Sequence, residues 1–329
     1  MLPEKIQEMA AHCARYRQPN AARAALQIVT TVLPFLVLFG AMYLSLDISY
    51  WLTLALAVPT AGLLVRFFII QHDCGHGSFF ASKTANDITG RIISVLTLTP
   101  YAYWRRSHAL HHASSANLDR RGIGDITTLT IEEYRALPFI KRVGYRIYRN
   151  PFFLTLVGGV LHFLIIQRLP FSVQRPSWSM TTSVLALNGA ILVVYGALVF
   201  LFGWVDFLKL FAPIVLLSSA AGVWLFYIQH QFEETHWSND GEWDRKTAAI
   251  LGSSYYALPK VLHWFTGNIG LHHIHHLCSQ VPNYRLQECM AGMPELASIN
   301  RLTIWESLKC ANLALWDEKS KRLVSFANA

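Results

Sequence analysis

The stretch Ile48–His76 reads ISYWLTLALAVPTAGLLVRFFIIQHDCGH. Its first eighteen residues, Ile48–Val65, carry no charge, and helical character can continue through Arg66 to Gln71. A helix rises about 1.5 Å per residue, so about 20 apolar residues cross the ~30 Å hydrocarbon core of a bilayer. The run ends on His72-Asp73-Cys74-Gly75-His76. Residues four apart share a helix face, so this span delivers a histidine pair to one membrane surface.

The rest of the chain repeats that reading. Hydrophobic residues make up 53 % of the 329 positions and charged residues only 15 %, against about 25 % charged in a soluble domain. Disorder, a coiled coil and a disulfide scaffold are excluded, since the five cysteines are odd in number and show no C-x-x-C spacing. Four spans are expected, at about 24–46, 48–70, 181–203 and 210–228, with Trp204–Lys209 as the second connection. Two weaker apolar stretches, Ile88–Tyr103 and Phe152–Ile166, are expected to be interfacial or re-entrant. The latter spans about 22 Å as a helix, too short to cross comfortably. The expected fold is a single domain over 1–329, an all-α polytopic membrane protein of four transmembrane helices plus interfacial helices. Residues 71–180 and 229–329 are expected on the cytoplasmic side, the latter as a cap carrying a histidine-rich metal site.

The net charge of +8 is local. Residues 71–150 hold eleven Lys/Arg against six Asp/Glu, whereas the tail from Gln229 holds nine against ten. This bias orients membrane proteins with the basic loops inside. It places the histidines, Arg168 and Arg175 on the cytoplasmic face and gives no reason to expect a nucleic-acid partner.

Most of the fourteen histidines are grouped. His72 and His76 form H-x3-H, His108, His111 and His112 form H-x2-HH, and His272, His275 and His276 form a second H-x2-HH. Helical spacing makes each set project together, giving eight imidazoles in three sets. Imidazole suits zinc, copper, iron and nickel, so the residue type leaves the metal open. The count favours two ions, because a zinc site uses three or four protein ligands. Soluble carboxylate-bridged pairs use two E-x-x-H motifs. Only Glu233–His236 fits that pattern, so an all-histidine dinuclear site remains. A transporter with cytoplasmic histidine loops is the alternative of a different class, but it would carry ligands within its spans.

At these residues the chain resembles the membrane fatty-acid desaturases, specifically bacterial acyl-lipid desaturases of the Δ12/Δ5 type. The likeness extends through LSLDISYWLTLAL (44–56), HDCGHGSFF (72–80), WRRSHALHHASSANLDRRGIGDI (104–126), GVWLFYIQHQFEETHW (222–237), LPKVLHWFTGNIGLHHIHHL (258–277) and VPNYRL (281–286). The resemblance implies a multi-pass protein of the bacterial inner membrane. It would use two iron ions, O2 and two electrons from a ferredoxin or similar donor to desaturate acyl chains of membrane lipids. A hydroxylase on the same scaffold is the nearest alternative. The eight box histidines carry over as iron ligands, and His230 matches the position of a ninth. His236 and His263 depart from the family pattern and are not expected to be ligands. Asp73, Asp125 and His273 are candidates to orient ligand imidazoles, His273 with a surface role as its alternative. Cys74, His12 and His162 are expected to be structural. Arg105, Arg106, Arg120, Arg121, Arg142, Arg146 and Arg149 are candidates for lipid headgroups or an acidic donor. No G-x-G-x-x-G fingerprint is present, so electrons should come from a separate protein.

Overall fold

The computed structural model describes residues 2–122, 124–169 and 177–328, so Arg175 lies outside the described residues. Helix α1 (Pro3–Ala14) precedes a pair of long helices, α2 (Ala21–Ser45) and α3 (Tyr50–His76). Next come α4 (Lys83–Thr97), α5 (Tyr101–Ser114), α6 (Ile131–Ala136) and α7 (Phe139–Tyr148). A π-helical turn, Phe153–Gly158, runs into α8 (Gly159–Leu164). The second long pair is α9 (Trp178–Phe202) and α10 (Trp204–His230). Beyond it lie the short helices α11 (Arg245–Leu251), α12 (Lys260–Phe265) and α13 (His272–Leu277).

Among the described residues, α2, α3, α9 and α10 are long and apolar enough to cross a membrane. Helix α3 is the axis. Its most apolar stretch is 61 % buried, against 17, 11 and 33 % for α2, α9 and α10. Those three turn Leu36, Val37, Leu192, Val193 and Leu217 outward, as lipid-facing helices do. Exposed Trp51 and Trp204 mark the end remote from the histidines, in the manner of an interfacial aromatic belt.

Four candidate spans are therefore found, with altered boundaries. Helix α3 is unbroken through His76 and stops where Gly77 takes a left-handed φ of +69°, its N–H reaching back to the Cys74 and Asp73 carbonyls. The expected connection Trp204–Lys209 is instead helical, and Gly203, at φ +77°, makes the break alone. Asp206 at the helix start and Lys209 one turn on pair at 2.9 Å, which lets both charges enter the helix.

Two placements are expected for the weak apolar stretches, interfacial or re-entrant, and both stretches enter the bundle. At the end of α4, Leu96 packs with Ala57 and Leu64 of α3, and α5 returns to the histidine end. The second excursion leaves α7 through a 76° bend. Leu154 packs with Leu225 and Ile228, Gly159 faces the Ser219 carbonyl, and Arg168 donates to the Leu98 carbonyl and to Asn188 Oδ1. Helix α9 then starts beside Tyr103, where the Ala102 N–H donates to Ser183 Oγ at 3.1 Å. Both ends of this excursion thus lie on the histidine side, the geometry of a re-entrant segment. The mostly helical chain also holds two small sheets. Strands β1 (Leu129–Thr130), β4 (Leu313–Asp317) and β5 (Arg322–Ser325) pair in the order β1-β4-β5, and β2 (Tyr255–Tyr256) pairs with β3 (Arg301–Leu302). They tie the segment after α5 and the strand before α12 to the C-terminal part.

Candidate metal centre

Nine histidines converge where α3, α5, α10 and α13 end together. His72, His76, His108, His112 and His275 form one group, and His111, His230, His272 and His276 a second. Within each, one nitrogen per ring lies within 4.8 Å of all the others. The motifs do not map one to one onto the groups. His108 and His112 stand one turn apart and enter the first group, while His111 enters the second. His272 and His276 likewise enter the second group and His275 the first. Adjacent helical residues differ by about 100°, so each doublet sends its two rings into different groups.

The Nε2 atoms face one another. His76 and His108 are separated by 3.0 Å, His108 and His112 by 3.1 Å, and His112 and His275 by 3.1 Å. In the second group His230 lies 3.2 Å from His111 and 3.1 Å from His272, and His111 lies 3.3 Å from His276. A nitrogen carries one proton or one lone pair, so hydrogen bonds alone cannot satisfy a set in which His108 meets two neighbours. Two nitrogens about 2.1 Å from a shared ion at 90–110° stand about 3.0–3.4 Å apart. The observed separations fit a bound cation.

The outward nitrogens fix the tautomer. His72 Nδ1 lies 3.0 Å from Asp73 Oδ1, His111 Nδ1 meets Asp125 Oδ1, and His230 Nδ1 donates to the Gly252 carbonyl at 3.0 Å. Each contact places the proton on Nδ1 and leaves the Nε2 lone pair facing inward. Asp73 Oδ2 accepts from the Asn283 N–H at 2.6 Å and from Asn283 Nδ2 at 2.8 Å. Asp125 Oδ2 has no partner among the described residues. Burial, and then the neighbouring imidazoles, hold His108, His112, His272, His275 and His276 well below the usual imidazole range. These rings are neutral near pH 7, as metal ligands must be.

The remaining candidates are placed as follows. His273 is fully buried and meets the Leu296 carbonyl at 2.9 Å, so it braces the chain behind α13 and has no surface role. Its position beside His272 turns its ring away from both groups. His236 and His263 belong to neither group. His12 meets the Cys289 carbonyl at 2.8 Å and His162 meets Gln167 at 2.9 Å. Cys74 is buried. Five of the seven arginines are engaged within the chain: Arg105 with Asp87, Arg120 with Asp240, Arg121 with Glu133, Arg146 with Tyr134, and buried Arg149 with Gln231 and the Leu313 carbonyl. Sequence reasoning missed Asn283, Gly252 and Trp104. The Trp104 ring lies 4.6 Å from that of His108 and 15° from parallel to it. Its spacing of four residues ahead of His108 was the available signal.

Comparison with known proteins gives a consistent result. The family model "Fatty acid desaturase" matches residues 48–307. A protein of Bacillus subtilis (strain 168) named fatty acid desaturase is 44 % identical over 325 residues, covering 99 % of this chain and 92 % of its own. The sn-1 acyl-lipid omega-3 desaturase (ferredoxin) of Nostoc sp. (strain 36) is 28 % identical over 314 residues, covering 88 and 81 %. The sn-1 oleoyl-lipid 12-desaturase of Synechocystis sp. (strain ATCC 27184 / PCC 6803 / Kazusa) is 25 % identical over 255 residues, covering 77 and 72 %.

Proposed function

The chain belongs to the fatty acid desaturase family, and from that premise we propose that it introduces a cis double bond into acyl chains of membrane lipids. In this reading the nine histidines hold two irons, O2 is the oxidant, and two electrons arrive from a ferredoxin-type donor. The observation that carries it is the convergence of nine imidazole rings in two groups, with the Nδ1 atoms of His72, His111 and His230 tied to acceptors. The donor set is neutral and nitrogen-only, which suits a transition metal and not calcium or magnesium.

Two bound irons would supply the O2 activation and C–H chemistry that no side chain provides. The chain's own residues hold and enclose. Asp73 and Asp125 orient His72 and His111 through their Nδ1–H groups and would raise the basicity of these rings toward a bound metal. Phe226, with its ring 5.3 Å from His111 and 5.5 Å from His230, keeps water from the second group. The helix ends set both groups at one face of the bundle, between an apolar compartment for the chain and a polar side for the donor. We infer that this face is cytoplasmic, since the basic bias of residues 71–150 surrounds it. The Nostoc relative, named as a ferredoxin-dependent enzyme, supports that donor class.

Expression in a host lacking polyunsaturated lipids, followed by double-bond mapping, tests the reading. New double bonds in lipid acyl chains are expected. Hydroxylated chains, or unchanged lipids with an iron-loaded protein, would contradict it.

A further inference from the structure

The fourth residue of His72-Asp73-Cys74-Gly75-His76 is a glycine that its own backbone does not require. Gly75 lies inside α3 and does not have a positive φ. Alanine is the better helix former, so a glycine at such a position weakens the helix. The reason stands on α5. A Cβ built on Gly75 would lie 2.8 Å from Trp104 Cζ3, well inside the distance of about 3.5–4.0 Å at which carbons pack. The indole occupies the space that a side chain at 75 would take.

That indole is fixed from more than one side. Phe68, one turn before His72 on α3, meets it edge-on at 5.5 Å, and the His72 ring lies 5.6 Å away. Its closest ring is His108, four residues on along α5 and on the same helix face. The two centroids are 4.6 Å apart and the planes 15° from parallel. His108 has need of such a contact. Its Nε2 stands 3.0 Å from that of His76 and 3.1 Å from that of His112. His72, His111 and His230 are held by acceptors at Nδ1. Among the described residues His108 Nδ1 meets no acceptor. The torsion that turns an imidazole is broad, so a ring without an outer hydrogen bond swings unless a neighbour stops it. Stacking supplies the stop.

We propose that Trp104 is a positioning residue for His108, holding its ring plane by stacking as Asp73 and Asp125 hold His72 and His111 by hydrogen bonds, and that Gly75 is present to admit the indole. The proposal rests on reading the two histidine groups as metal sites and on nothing about the substrate. Trp104 meets His72 and His108, both of the first group, and no ring of the second. Its loss should therefore weaken one bound ion and spare the other.

Titration of the metal-free full-length protein in detergent with Co2+ tests this, since nitrogen sites bind Co2+ more tightly than Fe2+ and its visible absorption reports each ion. The wild type should take up two ions. Trp104→Leu should weaken one of them about 3- to 10-fold, the range of an aromatic contact, and leave the other unchanged. Trp104→Phe keeps a ring against His108 and should keep most of the affinity. Gly75→Ala should weaken the same ion, against helix propensity, and should cost nothing further in Trp104→Leu, where the indole no longer fills the space. Equal weakening of both ions, equal affinity in Trp104→Leu and Trp104→Phe, or the same Gly75→Ala effect in both backgrounds would overturn the proposal. Wild-type protein that binds no cobalt would overturn the metal-centre reading and the proposal with it. Two tight ions in the wild type and in every variant would overturn the proposal alone.

Discussion

The two histidine groups are built from the same helices but finished differently. In the first, His76 and His108 are only partly buried, and the Asp73 carboxylate behind His72 has both oxygens satisfied, one by the imidazole and one by Asn283. In the second, all four rings are buried, yet Asp125 bonds His111 through one oxygen and leaves the other unpartnered. Asp125 borders a pocket shared with Trp237, whose indole nitrogen also has no partner among the described residues. A closed hydrogen-bond network holds the more exposed group, and burial holds the one with the looser network. Rigidity at a metal centre can come from either source.

The largest effect that would test this comparison is loss of a ligand from each group. His108→Ala and His276→Ala should each abolish desaturation and leave the protein in the membrane, with iron content falling in both. Substantial activity in both variants would break the dinuclear assignment. Next comes the support behind the ligands. Asp73→Ala should cost 10–100-fold in metal affinity or activity, and more than Asp125→Ala, because it also strands Asn283. Iron titration of the two purified variants decides the order. Asn283→Leu should act on the first group alone by removing one of the two donors to Asp73 Oδ2, the Asn283 backbone N–H remaining, at a cost of about 0.5–1.5 kcal/mol. A thermal melt together with iron content measures it.

A pH series sharpens the contrast on the metal-free protein. The five shifted imidazoles outside the long helices titrate below the ordinary 6.5 when folded, so the unfolded chain binds more protons. Their contribution to stability is therefore present above about pH 6.5 and is lost as pH falls below it. Melting at pH 8 should exceed that at pH 5.5, and iron should protect against the fall. The smallest effects are expected from His236→Phe and His263→Gln, which belong to neither group and should remain largely active.

Much of this centre was legible in the sequence, because ligand spacing on a helix is a local property. His72 and His76, or His108 and His112, are brought together by one turn of helix whatever else the chain does. The division of His111 from His108 was not legible, since it depends on where α10 and α13 dock around α5. Asn283 was hidden for the same reason, lying 210 residues from the carboxylate it holds. The four long helices followed from apolar length alone. The re-entrant segments were only partly readable, as Phe152–Ile166 is too short to cross but its depth depends on where Arg168 finds acceptors, at Leu98 and Asn188.

Iron stoichiometry of the protein purified from membranes, measured beside its His230→Ala variant, tests the central claim most directly. The account predicts two irons per chain in the wild type and clear loss from the variant, because His230 sits among His111, His272 and His276. One iron or none in fully active wild-type protein, or two irons retained with normal turnover in His230→Ala, would contradict it.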